Sequence, residues 1–373
     1  MVNFADENNI ICCMKLILTI LLMMSAYVVE AQTTQHEEST QKITTSMSSV
    51  ADEPTVQELA AEIESLKKKS STWDKILSKL PKVSGYIQVG FDWRDGDKSN
   101  FFVKRARVKL AGQFTEKLDY SMLLEFASFK LLDVYVRYRP VNAFNLQIGK
   151  YRTPLTLAST NCSSAKYEFI AMPQAVEKLS GGKDLSGLRA ARRDLGVMAY
   201  GGFWKKDGYS ILNYNVGVFN GEGLEVKDAN KSKDFVGRLT LEPIKALKFS
   251  GSYHWGEFGE NYLKRERYSA GMEYVQNRIL LRGEWVGGWT GDMKSSGWFA
   301  SAGYWITPKF MGAARYDTFL EDVDKSDSRQ TNYTLGVEWR PIKPLRCQFN
   351  YTFEDLKWAD NHHQIAMMIT AMF

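Results

Sequence analysis

The sequence predicts an all-β membrane protein, a sixteen-stranded antiparallel transmembrane β-barrel preceded by a short N-terminal coiled-coil helix. Three observations carry that expectation. From Val83 to the terminal Phe373, apolar residues recur with period two, the spacing at which successive strand side chains take opposite faces. The links between these segments alternate between tight and longer, as the two rims of a membrane barrel do. The composition is aromatic-rich, with 18 Tyr, 20 Phe and 10 Trp, yet mean hydropathy is only −0.32. Strands apolar on one face give such an average, because their water-facing half offsets the lipid-facing half. A large soluble β-protein would share the composition, so the order of the residues has to decide.

Residues 1–13 are polar and acidic, unlike the start of an export signal, and translation is expected to begin at Met14. Residues 14–31 then read as a signal peptide: Lys15, the apolar run LILTILLMM, and small Ala31 before Gln32. Beyond it no stretch has the ~20 apolar residues of a spanning helix. Residues 32–53, rich in Gln, Thr, Ser and Glu, have too little apolar content to fold and read as a linker. In 54–80, Val56, Leu59, Ile63, Leu66, Trp73, Leu77 and Leu80 recur at steps of three and four, interrupted at Ser70. That is a heptad seam, able to tie protomers together on the periplasmic side, or else one amphipathic helix lying on another surface. Leu80-Pro81 ends it, since proline cannot continue the helical ladder.

The barrel is expected over 83–373. Its segments run from VSGYIQVGFDWR and NFFVKRARVKLAGQF to LRCQFNYTFED and HQIAMMITAMF, each near the ~10 residues a tilted strand needs. Tight links such as TEK, RPVNA, KKD and TPK alternate with longer ones such as GEGLEVKDANKS and EDVDKSDSRQ. In LRCQFNYTFED, Leu345, Cys347, Phe349, Tyr351 and Phe353 share one face, and Arg346, Gln348, Asn350, Thr352 and Glu354 the other. With charge on the polar face of strand after strand, the sensible arrangement is lipid outside and water within. Trp93, Tyr138, Trp285, Tyr316 and Trp339 then fall at strand ends, as interfacial girdles do. The last strand alternates through Ile365, Met367, Ile369 and Ala371 to Phe373, which resembles the signal read by the barrel-assembly machinery of the outer membrane.

About sixteen strands leave room for an aqueous channel. Parity turns Arg105, Arg107 and Lys109 inward, and likewise Arg137 and Arg139, a possible basic stripe that guides small anionic solutes. Against it, inward positions also hold Asp119, Glu125, Asp133, Asp194, Glu273, Glu284, Asp317, Glu338 and Glu354, so the lining is mixed. The long link 153–190 carries Lys166, Lys178, Lys183 and Arg189 and a possible short helix, EFIAMPQAVEKL. It either folds into the lumen as a constriction or caps the outside.

Other chemistry is poorly represented. Net charge is +5, with no basic tail or helical basic stripe, which argues against nucleic acid as a partner. There is no zinc-type Cys/His spacing and no cofactor motif, so no metal or cofactor is expected. Of the four Cys, only Cys162 and Cys347 follow the export segment, and a loop and a lipid-facing strand are poor disulfide partners. His36, His254, His362 and His363 form no catalytic set with a nucleophile, and the protein is not expected to be an enzyme.

Several segments, FFVKRARVKLAG, KLLDVYVRYRPVNAFNLQIGKYRTPL, RRDLGVMAYG, YNVGVFNGEG, DFVGRLTLEPIKALKFSGSY and YTLGVEWRPIKPLRCQFNYTF, together resemble the phosphate-selective porin O/P family across nearly the whole barrel region. The resemblance implies a sixteen-stranded, usually trimeric outer-membrane porin of a Gram-negative bacterium, often preceded by a short coiled coil. It also implies passage of anions such as phosphate, with an arginine ladder and lysines on inward loops. Arg105 and Arg107 sit in the matching strand; the family's central phosphate-binding arginine and lysines have no position-by-position match here. A general or sugar-type diffusion porin is the alternative within the class; a barrel enzyme and an adhesive barrel are those outside it.

Overall fold

A computed structural model describes residues 81–188, 191–224 and 229–373. The export segment, the linker and the heptad helix of 54–80 lie outside the described residues, and so does Arg189. The described chain is a closed antiparallel barrel in which each strand pairs with its sequence neighbours and β1 (Lys82–Arg94) pairs with β16 (His362–Met372). The strands between are β2 (Asn100–Thr115), β3 (Leu118–Glu125), β4 (Lys130–Val141), β5 (Phe144–Arg152), β6 (Arg193–Lys206), β7 (Tyr209–Phe219) and β8 (Asp234–Ile244). After these come β9 (Leu247–Phe258), β10 (Leu263–Gln276), β11 (Ile279–Thr290), β12 (Met293–Thr307), β13 (Phe310–Leu320), β14 (Arg329–Trp339) and β15 (Leu345–Leu356). The sixteen expected segments match these strands to within a few residues at their ends.

Period two is realised inside out. On β14, Leu335 is 61% exposed on the outer wall while Glu338 is 1% exposed within. Aromatic rings stack near both rims, Phe310 on Trp339 at one end and Tyr268 on Trp285 at the other. The short-turn rim is made by two-residue links such as Asp207-Gly208, both with positive φ, the geometry that lets a hairpin keep its natural twist. Closure ends on Phe373, whose backbone exchanges two hydrogen bonds with Gly85. A Cβ at Gly85 would stand 2.5 Å from the Phe373 ring, so glycine is what lets that ring lie on the wall.

The strand ladder has one consequential irregularity. Gln88 faces Arg105, but Val89 faces Val103, so Lys104 is an extra residue in β2. Such a bulge lets neighbouring side chains share a face that strict alternation would divide between them.

Candidate functional site

The link after β5 folds into the lumen. It forms two short helices, α1 (Leu157–Asn161) and α2 (Gln174–Leu179), joined by an irregular run. The helix expected over EFIAMPQAVEKL is only half right, because Glu168–Met172 is not helical and Pro173 precedes α2 as its N-cap. A residue before proline is pushed out of the helical region, and the carbonyls ahead of it are committed to the barrel wall. Arg346 donates to the carbonyls of Ala165 and Tyr167 at 2.7 Å each, Arg315 to that of Ala171 at 2.7 Å, and Gln348 to those of Tyr167 and Glu168. From β2, Lys104 donates to the Ile170 carbonyl at 2.8 Å.

The helix N-termini meet wall carboxylates. Glu284 accepts from the backbone N–H of Leu157 and Ala158, at 2.6 and 3.0 Å, and Asp317 accepts from that of Gln174 at 3.1 Å. Unpaired N–H groups there need acceptors, and an anion suits that end of a helix. Behind them Ala175, Val176 and Leu179 pack on Val286, Phe299 and Phe319, an apolar cluster inside a lumen that is otherwise polar. Asp184 is buried and pairs with Arg267 at 3.0 Å. Burial alone would raise its carboxyl, but the charges of Arg267 and Arg265 and the Ser186 hydrogen bonds hold it below the ordinary carboxylate range. Cys162 is a free thiol in this packed interior, pushed up to about 12 by burial.

Between the loop and the β1–β6 side of the wall lies a cavity of about 370 Å³. Its cations are Lys104, Arg105, Arg107, Arg152, Lys183, Arg192 and Arg193, and Glu177 is its one lining carboxylate. Glu177 is taken by Arg192. Behind the lining, Glu125 pairs with Arg107 at 2.7 Å and Asp133 with Arg193 at 2.5 Å. Arg105 donates to Gln88 Oε1 at 2.8 Å, and Arg152 to the carbonyls of Ser159 and Cys162. Among the described residues, Lys104, Arg105, Arg152 and Lys183 therefore have no carboxylate partner, and the cavity carries an excess of positive charge. Fixed donors facing a polar, partly desolvated space make a receptor for a small anion.

The sequence-predicted residues divide accordingly. Arg105 and Arg107 line this cavity and Lys183 joins them from the loop. The expected single stripe is broken: Lys109 is exposed, and Arg137 and Arg139 share Asp119, at 2.8 and 2.6 Å, away from the cavity. Lys178 leans toward Glu321 at 3.9 Å, and Lys166 lines a different space, on the other side of the loop run. The mixed lining also resolves. Asp119, Glu125, Asp133, Glu273, Asp317, Glu338 and Glu354 each pair with a wall arginine, and Glu284 holds α1.

Sequence reasoning missed Lys104, Arg152, Arg192 and Arg193. A lysine at a lipid-facing parity position is itself a signal that the parity breaks there. Val286, Phe299 and Phe319, apolar at inward positions, likewise mark the wall on which the loop packs.

Comparison with known proteins accords with this architecture. The family model for phosphate-selective porin O and P matches residues 84–265 and 247–364. No curated protein matches the chain. Among solved structures, a complex of OmpF from Salmonella typhi with daunomycin superposes with a TM-score of 0.60 at 11% identity, covering 79% of this chain and 98% of that one. A loop L8 deletion mutant of OmpT from Vibrio cholerae gives 0.59 at 12%, covering 79% and 99%. In-vitro folded OmpT of the same organism, described as a trimer form, gives 0.57 at 11%, again covering 79% and 99%. At these identities the likeness speaks for the fold.

Proposed function

This chain belongs to the phosphate-selective porin O and P family, and from that premise we propose that its channel favours small anions, phosphate among them, and draws them through the basic cavity. The family and the closed barrel make it an outer-membrane channel for passive diffusion, in the envelope of a Gram-negative bacterium. One observation carries the finer reading: seven wall carboxylates pair with arginines and Glu284 with the loop, while among the described residues Lys104, Arg105, Arg152 and Lys183 form no ion pair.

In water-like surroundings a unit anion ~7 Å from one such cation gains roughly 0.6 kcal/mol, a two- to threefold bias that compounds over several. Because no step of chemistry is involved, the cations need only lower the entry barrier without trapping the solute. Four cations held by a carbonyl, an amide or water alone suit that, since their remaining donors are shared easily with a passing oxyanion. The trimer form of the Vibrio cholerae protein and the heptad pattern of 54–80 support a homotrimer.

The decisive measurement is the reversal potential of the purified porin in a planar bilayer under a potassium chloride gradient. Anion selectivity is expected, with chloride current blocked by millimolar inorganic phosphate. Replacing Lys104 and Arg105 together by Gln is expected to lower the anion-to-cation permeability ratio about five- to tenfold at low salt. Cation selectivity in the native channel would sink the reading, and anion selectivity without phosphate block would leave a general anion channel.

A further inference from the structure

The loop run 164–172 has a second side. Ser164, Tyr167 and Phe169 border the basic cavity, whereas Lys166 and Glu168 border a separate space of about 420 Å³ toward the short-turn rim. That rim faces the periplasm in bacterial barrels. The chemistry of the second space differs from that of the first.

Its most distinctive member is Trp305. This residue stands on the inward parity of β12, beside the turn at Pro308, so it does not belong to the lipid-facing girdle. The Arg340 guanidinium carbon lies over the indole ring, 4.6 Å from its centre, so cation and ring form one platform. Leu280 and Met311 add an apolar floor. Arg340 is held in place by Glu338 at 2.6 Å, and that carboxylate also takes Arg346. Glu168 is occupied by Arg282. Lys166 and Arg278 are exposed to the same space, and among the described residues their side chains make no ion pair or hydrogen bond. Two uncommitted cations thus stand over a stacked, partly apolar surface.

We propose that this vestibule is a second binding site, for small organic anions that carry a flat apolar portion, with Trp305 and Arg340 stacking on that portion and Lys166 and Arg278 meeting the charge. A bare oxyanion uses only the two cations, so it gains nothing from the platform; an aryl phosphonate uses both. The inference rests on the channel reading above, because its readout is block of the current through that channel.

The test compares two blockers of the native full-length channel in a planar bilayer, phenylphosphonate and methylphosphonate, added from the short-turn side. They share a headgroup and differ in the ring. The readout is the ratio of their half-blocking concentrations within each variant, so a change in open-channel current cancels. In the native channel phenylphosphonate is expected to block at about two- to tenfold lower concentration, the range of an aromatic contact. Trp305→Ala is expected to bring the ratio to near one, and Trp305→Phe, which keeps a ring in the wall, to retain most of it. If Trp305→Ala does not insert, Trp305→Leu against Trp305→Phe gives the same contrast. A native ratio of one, or a ratio unchanged when the ring is removed, overturns the proposal. If chloride current and phosphate block persist in that case, the anion-channel reading stands and only the second site falls; a channel that passes no current sinks both.

Discussion

Two sides of one lumen carry arginines, and they use them differently. On β10, β11, β13 and β15, Arg267, Arg315 and Arg346 are buried and Arg282 is partly buried, and each is bonded to a loop carbonyl, a loop carboxylate or both. On β2 and β5, Arg105, Arg152 and Lys104 donate hydrogen bonds, among the described residues, only to neutral groups. Lys104 and Arg152 also hold loop carbonyls, but unlike the first set the second is left with charge to spare. A tally of lumenal cations therefore says little about the field a solute meets. What counts is which cations keep no acid, and that depends on where the loop puts its carbonyls and where the wall puts its carboxylates. A charge matched by a buried partner is part of the scaffold, and its removal is felt as lost stability.

The sharpest break of this contrast is Arg346→Ala. It withdraws the donors to Ala165 and Tyr167 and one of the two partners of Glu338, in a site where breaking a buried pair costs about 3–5 kcal/mol. The loop is expected to loosen, seen as larger single-channel conductance and as faster maleimide labelling of Cys162, which is otherwise buried and scarcely ionised. Arg105→Ala, by contrast, should shift selectivity and leave that labelling slow. Equal labelling rates in the two variants would dissolve the distinction between the two sides.

A smaller effect separates free from shared charge. Lys183→Glu reverses an unpartnered cavity cation, and the permeability ratio is expected to fall about five- to tenfold by the same Coulomb estimate. Arg139→Gln removes one of two arginines on Asp119, leaving Arg137 to neutralise it, and should change the ratio less than about twofold. Reversal potentials of both variants at low salt decide the order.

The smallest expected effect is that of pH on the loop anchor at Asp184. Its carboxyl lies below its ordinary range in the folded protein, so the anchor is fully present above that range and is lost only as pH falls through the lowered value. Current noise attributable to the loop should be flat from pH 8 to 5 and rise only in stronger acid. A rise near neutrality would place the control elsewhere.

The sequence by itself determined the barrel. Period two, tight against long links, and a terminal apolar strand ending in Phe373 are local patterns, and local sterics and solvent preference suffice to turn them into paired strands with one face in lipid. It also determined which charges point inward, because parity is a property of the strand alone. Parity failed where the backbone left it, at the bulge that adds Lys104 to the lumen. The basic cavity itself was only partly legible. Arg105 and Arg107, Arg152, Lys183, Arg192 and Arg193 come from two sheet neighbourhoods and one loop, and only closure of the barrel and inward folding of 153–192 bring them together. Which acids are spent is likewise decided by tertiary structure: Glu284 and Asp317 read as opposing charges until the N-termini of α1 and α2 arrive to use them. Electrostatic pairing acts through space between strands far apart in the chain, and the spacing of residues along one strand holds no record of it.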